Sequence, residues 1–87
     1  MTSFEYDEQK SISNLSKHGI DFESAQKLWM DDYHIEVRVQ FVEEPRYIVV
    51  GLIDEKFWTA VITYRSDLIR IISVRRSRKA EVALYES

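Results

Sequence analysis

Six of the twelve basic residues in this 87-residue chain fall between Arg65 and Lys79: Arg65, Arg70, Arg75, Arg76, Arg78 and Lys79. Asp67 is the one acid among them, so the stretch carries +5, while the other 72 residues, with six cations and fourteen acids, carry -8. The charge is segregated, not balanced. Five of the six cations are arginine, whose planar fork keeps its charge near neutral pH and fits phosphate oxygens two at a time. Arg78 and Lys79 fall where a last helix should begin. There the positive end of the backbone dipole makes a cation unfavourable by ~0.3–1 kcal/mol. Such a conflict beside free helix amides is the pattern of an anion cradle, and phosphate is the anion that suits it. The plain alternative is a solvated face in which some arginines pair with acids such as Glu81.

Hydrophobic periodicity gives the elements that must position these groups. A helix is expected from about Asp7 to His18, with Asp7 and Glu8 in its first turn, Lys17 and His18 in its last, and Gly19 at a left-handed cap. Ile12 and Leu15 form its apolar stripe. A second helix starts at the N-cap Asp21, buries Phe22, Ala25, Leu28 and Trp29, and ends near Met30. From Ile35 the period drops to two: Ile35, Val37, Val39 and Phe41 alternate with Glu36, Arg38 and Gln40, as in a strand with one wet face.

The strands "RYIVVGL" and "FWTAVITYR" follow, separated by the turn "IDEK". The last strand, Leu68 to about Arg76, is apolar on both faces and belongs at the centre of a sheet. Strict alternation puts Arg70 on one face with Leu68, Ile72 and Val74, where a structural ion pair suits it, and sends Arg75 and Arg76 to opposite faces. Ser77 would cap a short final helix ending near Tyr85. Together these give a single α+β domain over residues 1–87: two N-terminal helices, a four-stranded antiparallel sheet and a short C-terminal helix.

Composition excludes several classes. A hydrophobic share of 45% supports a core without a disulfide or metal staple, and there is no cysteine. The opening "MTSFEYDEQK" lacks the apolar run of a signal peptide, and no stretch approaches the ~18 apolar residues of a membrane span, so a soluble, cytoplasmic protein with no membrane partner is expected. No ligand spacing points to a metal, and no cofactor is implied; His34, after Asp31 and Asp32, is read as a loop residue.

The two ends of the chain, "FEYDEQKSISNLSKHGIDFESA" and "RIISVRRSRKAEVALYE", resemble the BrnT family, ribonuclease toxins of bacterial type II toxin-antitoxin modules. The resemblance rests on Phe4, Asp7, Asn14, Lys17, His18, Gly19, Phe22 and Ala25, then on Arg70, Ile71, Ile72, Ser73, Arg75, Arg76, Glu81 and Tyr85. Val74 and Ser77 stand where alanine is usual, and the middle, from Met30 to Lys56, matches only in pattern. The resemblance implies a RelE-like toxin fold, metal-independent cleavage of RNA, and neutralisation by a cognate antitoxin encoded nearby, through which alone operator DNA would be bound.

Cutting RNA without a metal needs a base for the 2′-hydroxyl, cations for the charge growing on the phosphate, and an acid for the departing 5′ oxygen. Arg65 and Arg75, ending adjacent strands, are the expected phosphate stabilisers, with Arg76 as a substitute. Glu81 and Tyr85, one helical turn apart, are expected in proton transfer. His18 is a general-base candidate, since histidine exchanges protons near neutral pH, although with Lys17 it also complements a helix C-terminus. Arg76, Arg78, Lys79 and Lys17 are the RNA-binding candidates. A non-catalytic module docking an acidic protein or operator DNA is the competing function. Self-pairing through the edge of the first strand, against which Arg38 and Pro45 stand, leaves a homodimer open.

Overall fold

The computed structural model describes residues 3–40 and 43–87. Its frame is a mixed sheet of β1 (Ser3–Glu5), β2 (Ile35–Arg38), β3 (Tyr47–Ile53), β4 (Lys56–Arg65) and β5 (Leu68–Arg76), in the order β1-β5-β4-β3-β2. Helix α1 (Glu8–His18) and helix α2 (Phe22–Ala25), which tightens into a 3-10 segment over Gln26–Met30, cover one face. Helix α3 (Lys79–Glu86) lies on the other, where Tyr85 meets Phe57 edge-on and Glu81 meets Thr59. No helix among the described residues is long and apolar enough to cross a membrane.

The class is α+β, but the sheet is not four antiparallel strands. Ser3–Glu5 adds a fifth, parallel to Leu68–Arg70. Three residues carry no readable period, and tertiary contacts hold them: Glu5 pairs with Arg70 at 3.6 Å and Phe4 meets Trp29 edge-on at 4.9 Å. The second helix keeps its N-cap, Asp21 accepting from the Ser24 N–H at 2.7 Å, but is α-helical for one turn only. The strand from Ile35 ends at Arg38, and Phe41 lies outside the described residues. Arg78, not Ser77, caps the final helix, because the Ser77 hydroxyl is engaged with Thr59 at 2.7 Å and its N–H with the Phe57 carbonyl.

The core is Ile20, Phe22, Ala25 and Leu28 packed on Val49, Ala60, Ile62, Ile69, Ile71 and Val74. Helix α1 docks on it with an unexpected face. Ile12 and Leu15 are 57% and 49% exposed, whereas Ser11 and Asn14 are buried. The reason is the outer edge of β5. β1 pairs only its first three residues, which leaves the Val74 amide and carbonyl without a strand partner. The Asn14 side chain supplies both missing bonds, accepting from the Val74 N–H at 3.1 Å and donating to the Val74 carbonyl at 2.9 Å. It donates also to the Ile20 carbonyl at 2.8 Å, while the Ser11 hydroxyl accepts from the Phe22 N–H at 2.9 Å. Burying backbone polar groups unpaired costs more than exposing two aliphatic side chains, so the polar face turns inward.

The β4–β5 ladder is irregular. Val61 pairs with Ser73 and Ile62 with Ile71, so Ile72 is an extra residue that reverses the alternation. Ile69, Ile71 and Val74 therefore share the core face, and Ser73 and Arg75 share the face of α3. Arg70 is on the side opposite Val74, contrary to strict alternation.

Asn14→Ala should lower the unfolding free energy by about 3 kcal/mol in urea titration, because three buried backbone groups lose their partners. Ile12→Ala should change it by no more than about 0.5 kcal/mol.

Candidate functional site

Antiparallel pairing decides which cations can meet. Arg65 lies opposite Leu68 and Arg75 opposite Thr59, six strand positions apart and so about 20 Å along the sheet. Adjacent strands joined by a tight turn end at opposite edges, so the expected convergence of Arg65 with Arg75 does not occur. Arg70 is taken up by Glu5. Arg76 lies on the other face from Arg75, its guanidinium 5.5 Å from the Trp58 ring centroid and its Nε donating to the Phe57 carbonyl at 3.2 Å.

Arg75 is the cation around which the end of β5 is organised. Its Nη1 and Nη2 donate to the two carboxylate oxygens of Glu81 at 2.8 and 2.7 Å. Glu81 also accepts from the Thr59 hydroxyl at 3.0 Å and from the Arg78 N–H at 2.8 Å. A guanidinium has no acceptor, so the reciprocal bonds at this helix start come from the Arg78 backbone carbonyl, which accepts from the N–H groups of Glu81 and Val82. The anion at the start of α3 is thus the chain's own Glu81, and the expected cradle of free amides is partly occupied. Arg75 holds the Glu81 carboxyl down to about 2, and Glu81 in turn raises the Arg75 guanidinium above its usual range.

The pair leaves part of Arg75 open. Its terminal edge is spent on Glu81, and Nη1 reaches the Arg76 carbonyl at 3.3 Å. The lateral edge, Nε–H with the second Nη2–H, has no acceptor among the described residues. The side chain is 24% exposed, so an incoming anion can reach it.

Tyr85 lies one turn beyond Glu81 but faces elsewhere. Its hydroxyl donates to Asp31 Oδ2 at 2.8 Å, which also accepts from the Leu52 N–H at 2.8 Å. Partial burial and then the Asp31 carboxylate push the Tyr85 phenol up to about 12. Burial alone would raise Asp31, but the bonds from Leu52, Tyr33 and Tyr85 bring it below the ordinary carboxylate value. Asp31 thereby ties the helical layer to α3 around the part of β3 that β2 does not cover. His34 fits its expectation as a loop residue, with Nδ1 2.8 Å from the Asp31 carbonyl and its ring beside Trp29.

Lys17 and His18 end α1, exposed, with the Gly19 cap in the left-handed conformation as expected. Both line a small depression that reaches Ser73, two residues before Arg75 on the same sheet face. Arg78 and Lys79 are exposed at the start of α3. The structure therefore gathers Arg75, Glu81, Arg78 and Lys79 at one end of β5, sets Lys17 and His18 at the outer edge of that strand near Ser73, and leaves out Arg65 by distance, Tyr85 by its bond to Asp31 and Arg76 by its engagement with Trp58 and the Phe57 carbonyl. Among the described residues no three His, Cys, Asp or Glu side chains come together as a metal site requires. A depression of about 660 Å³ between Phe4, Trp29 and Met30 shares no residue with the basic zone. Thr59 was invisible to sequence reasoning, since only the register brings it to Glu81, and Ser77, expected as a helix cap, instead holds the Thr59 hydroxyl; Lys10 had a signal, its spacing from Lys17 on α1.

A family model described as "Ribonuclease toxin, BrnT, of type II toxin-antitoxin system" matches residues 6–81. Comparison with curated proteins finds no match.

Glu81 sets a pH dependence. Its carboxyl is at about 2 folded against 4.5 for a free one, so its contribution is complete above pH 4.5 and is lost as pH falls toward 2. The urea midpoint should drop across that window by the equivalent of up to about 3 kcal/mol, and Glu81→Gln should flatten the drop.

Proposed function

The chain belongs to the BrnT family of ribonuclease toxins of type II toxin-antitoxin systems, and from that membership we propose that it is a cytoplasmic, metal-independent endoribonuclease of RelE-like fold, held inactive by a cognate antitoxin. The observation that carries the site is the open lateral edge of Arg75. Glu81 fixes the fork in place while Nε–H and Nη2–H remain for a phosphate, giving two parallel charge-assisted bonds to the group on which negative charge accumulates. Positioning by a carboxylate removes the rotamer freedom that a lone arginine would lose on binding.

The reaction this supports is transesterification. The 2′-hydroxyl loses its proton to His18 and its oxygen attacks the adjacent phosphorus. Arg75 stabilises the extra charge on the equatorial oxygens. The P–O5′ bond breaks, the 5′ oxygen receives through water the proton that His18 took up, and a 2′,3′-cyclic phosphate and a 5′-hydroxyl result with His18 neutral again. Glu81 is a poor proton acceptor at about 2, and Tyr85 a poor donor at about 12. Both are therefore positioning residues, Glu81 through Arg75 and Tyr85 through Asp31. Arg78 and Lys79 attract the RNA strand from exposed positions. An antitoxin that covers the lateral edge of Arg75 would inhibit by exclusion.

Purified toxin stripped of antitoxin should cut RNA in the presence of a chelator and leave 2′,3′-cyclic phosphate ends. Arg75→Lys, which keeps the charge but lacks the fork, should reduce kcat/KM by about 10²-fold or more while retaining a folded circular dichroism spectrum. Arg65→Ala should leave the rate within about twofold. Absence of cleavage across varied RNAs would instead favour a binding module that docks an acidic protein or DNA.

A further inference from the structure

Beside α1 is a depression of about 190 Å³ whose polar lining is unusually uniform in sign. Lys10, Ser13 and Lys17 recur at i, i+3 and i+7, which places them on one helix face. The bonds from Asn14 to Val74 hold that face against the outer edge of β5, where Ser73 completes the lining with His18 at the rim. No acid lines it, and neither lysine nor His18 takes part in an ion pair among the described residues. Two lysines and two serines line a space much larger than the ~30 Å³ share of one water in the liquid, room enough for a phosphate group. With no acid beside them, the lysines give the depression a positive potential that attracts an anion.

The position of this depression narrows the choice of anion. Ser73 and Arg75 share a sheet face and are two residues, about 6.6 Å, apart along β5. Ser73, which lines the depression, and Arg75 are thus about one step of an extended nucleotide backbone apart along β5. We propose that Lys10, Ser13, Lys17 and Ser73 form a second phosphate subsite, which holds the phosphate neighbouring the scissile one in an extended single strand. The assignment deepens the ribonuclease reading and rests on it. A nucleotide backbone repeats its anion at a fixed short step, as acidic side chains in a peptide do not, which is why a single strand is favoured over an acidic peptide. His18 lines the same depression.

The test is binding of a 2′-O-methyl hexanucleotide, which cannot be cleaved, by fluorescence anisotropy across a salt series. Lys10→Ala/Lys17→Ala should weaken binding about tenfold at low salt and reduce the slope of log K against log salt by about 0.7, the loss of one phosphate contact on a single strand. Lys56→Ala, in a different depression, should change neither. Inorganic phosphate should shift the amide resonances of Lys17 and Ser73 in the wild-type protein. An unchanged slope in the double variant overturns the subsite, as does an acidic peptide that shifts those resonances when the hexanucleotide does not. Binding that loses the slope in a protein that cuts no RNA would keep the subsite and sink the ribonuclease reading, so the two failures are distinct.

Discussion

The bidentate bond between Arg75 and Glu81 is the constraint on which the end of β5, and the site proposed there, depends. It joins the last residues of β5 to the first turn of α3, and through Thr59 and the Arg78 N–H it draws in the neighbouring strand and the helix start. Exposed ion pairs contribute little, and buried ones offset their desolvation only when further bonds satisfy the charges. Here Glu81 Oε1 accepts also from the hydroxyl of the fully buried Thr59 and from the Arg78 N–H, so that the carboxylate is satisfied by more than its cation. The same pair determines what Arg75 can offer. A free guanidinium presents every edge to solvent; this one presents its lateral edge, in a fixed direction.

A second grip, at the outer edge of the same strand, is Asn14 on the Val74 backbone. It positions α1 so that Lys10 and Lys17 line that edge near Ser73, while Arg75 stands on the sheet face that α3 covers. The basic character of the stretch from Arg65 to Lys79 is therefore not expressed as one patch. Arg70 and Arg76 are absorbed by Glu5 and Trp58, and Arg65 is carried to the far end of the sheet. What remains near Arg75 is completed by lysines from a helix some sixty residues away in the chain.

That redistribution explains which features were legible in the sequence. Elements with a full period were: the caps at Gly19 and Asp21 and the long apolar strand at Leu68 appear where expected, Asp7 is the N-cap rather than a first-turn residue, and the strand from Ile35 forms but ends at Arg38. The three-residue β1 was not, since its existence depends on an edge that only the folded sheet presents. The apolar pair Ile12 and Leu15 misled, because four buried bonds from Asn14 and Ser11 to the backbone outrank two aliphatic side chains in choosing the inward face of α1. The site was half legible. Charge segregation pointed to Arg75, Arg78 and Lys79, and helix spacing to Lys17 and His18, but strand direction separates Arg65 from Arg75 by a rule that composition does not contain. The bulge at Ile72 is likewise a pairing event with no mark in the local sequence.

The central claim is that Arg75 binds a carboxylate and a phosphate at the same time through different edges. Its most direct measurement is the side-chain Nε–Hε resonance of Arg75 during titration with an uncleavable 2′-O-methyl oligonucleotide. The account predicts a saturable downfield shift of that one signal, with the Nη protons on Glu81 still protected from exchange. Tight binding that leaves Nε–Hε unmoved, or that releases the Nη protons from Glu81, would contradict it.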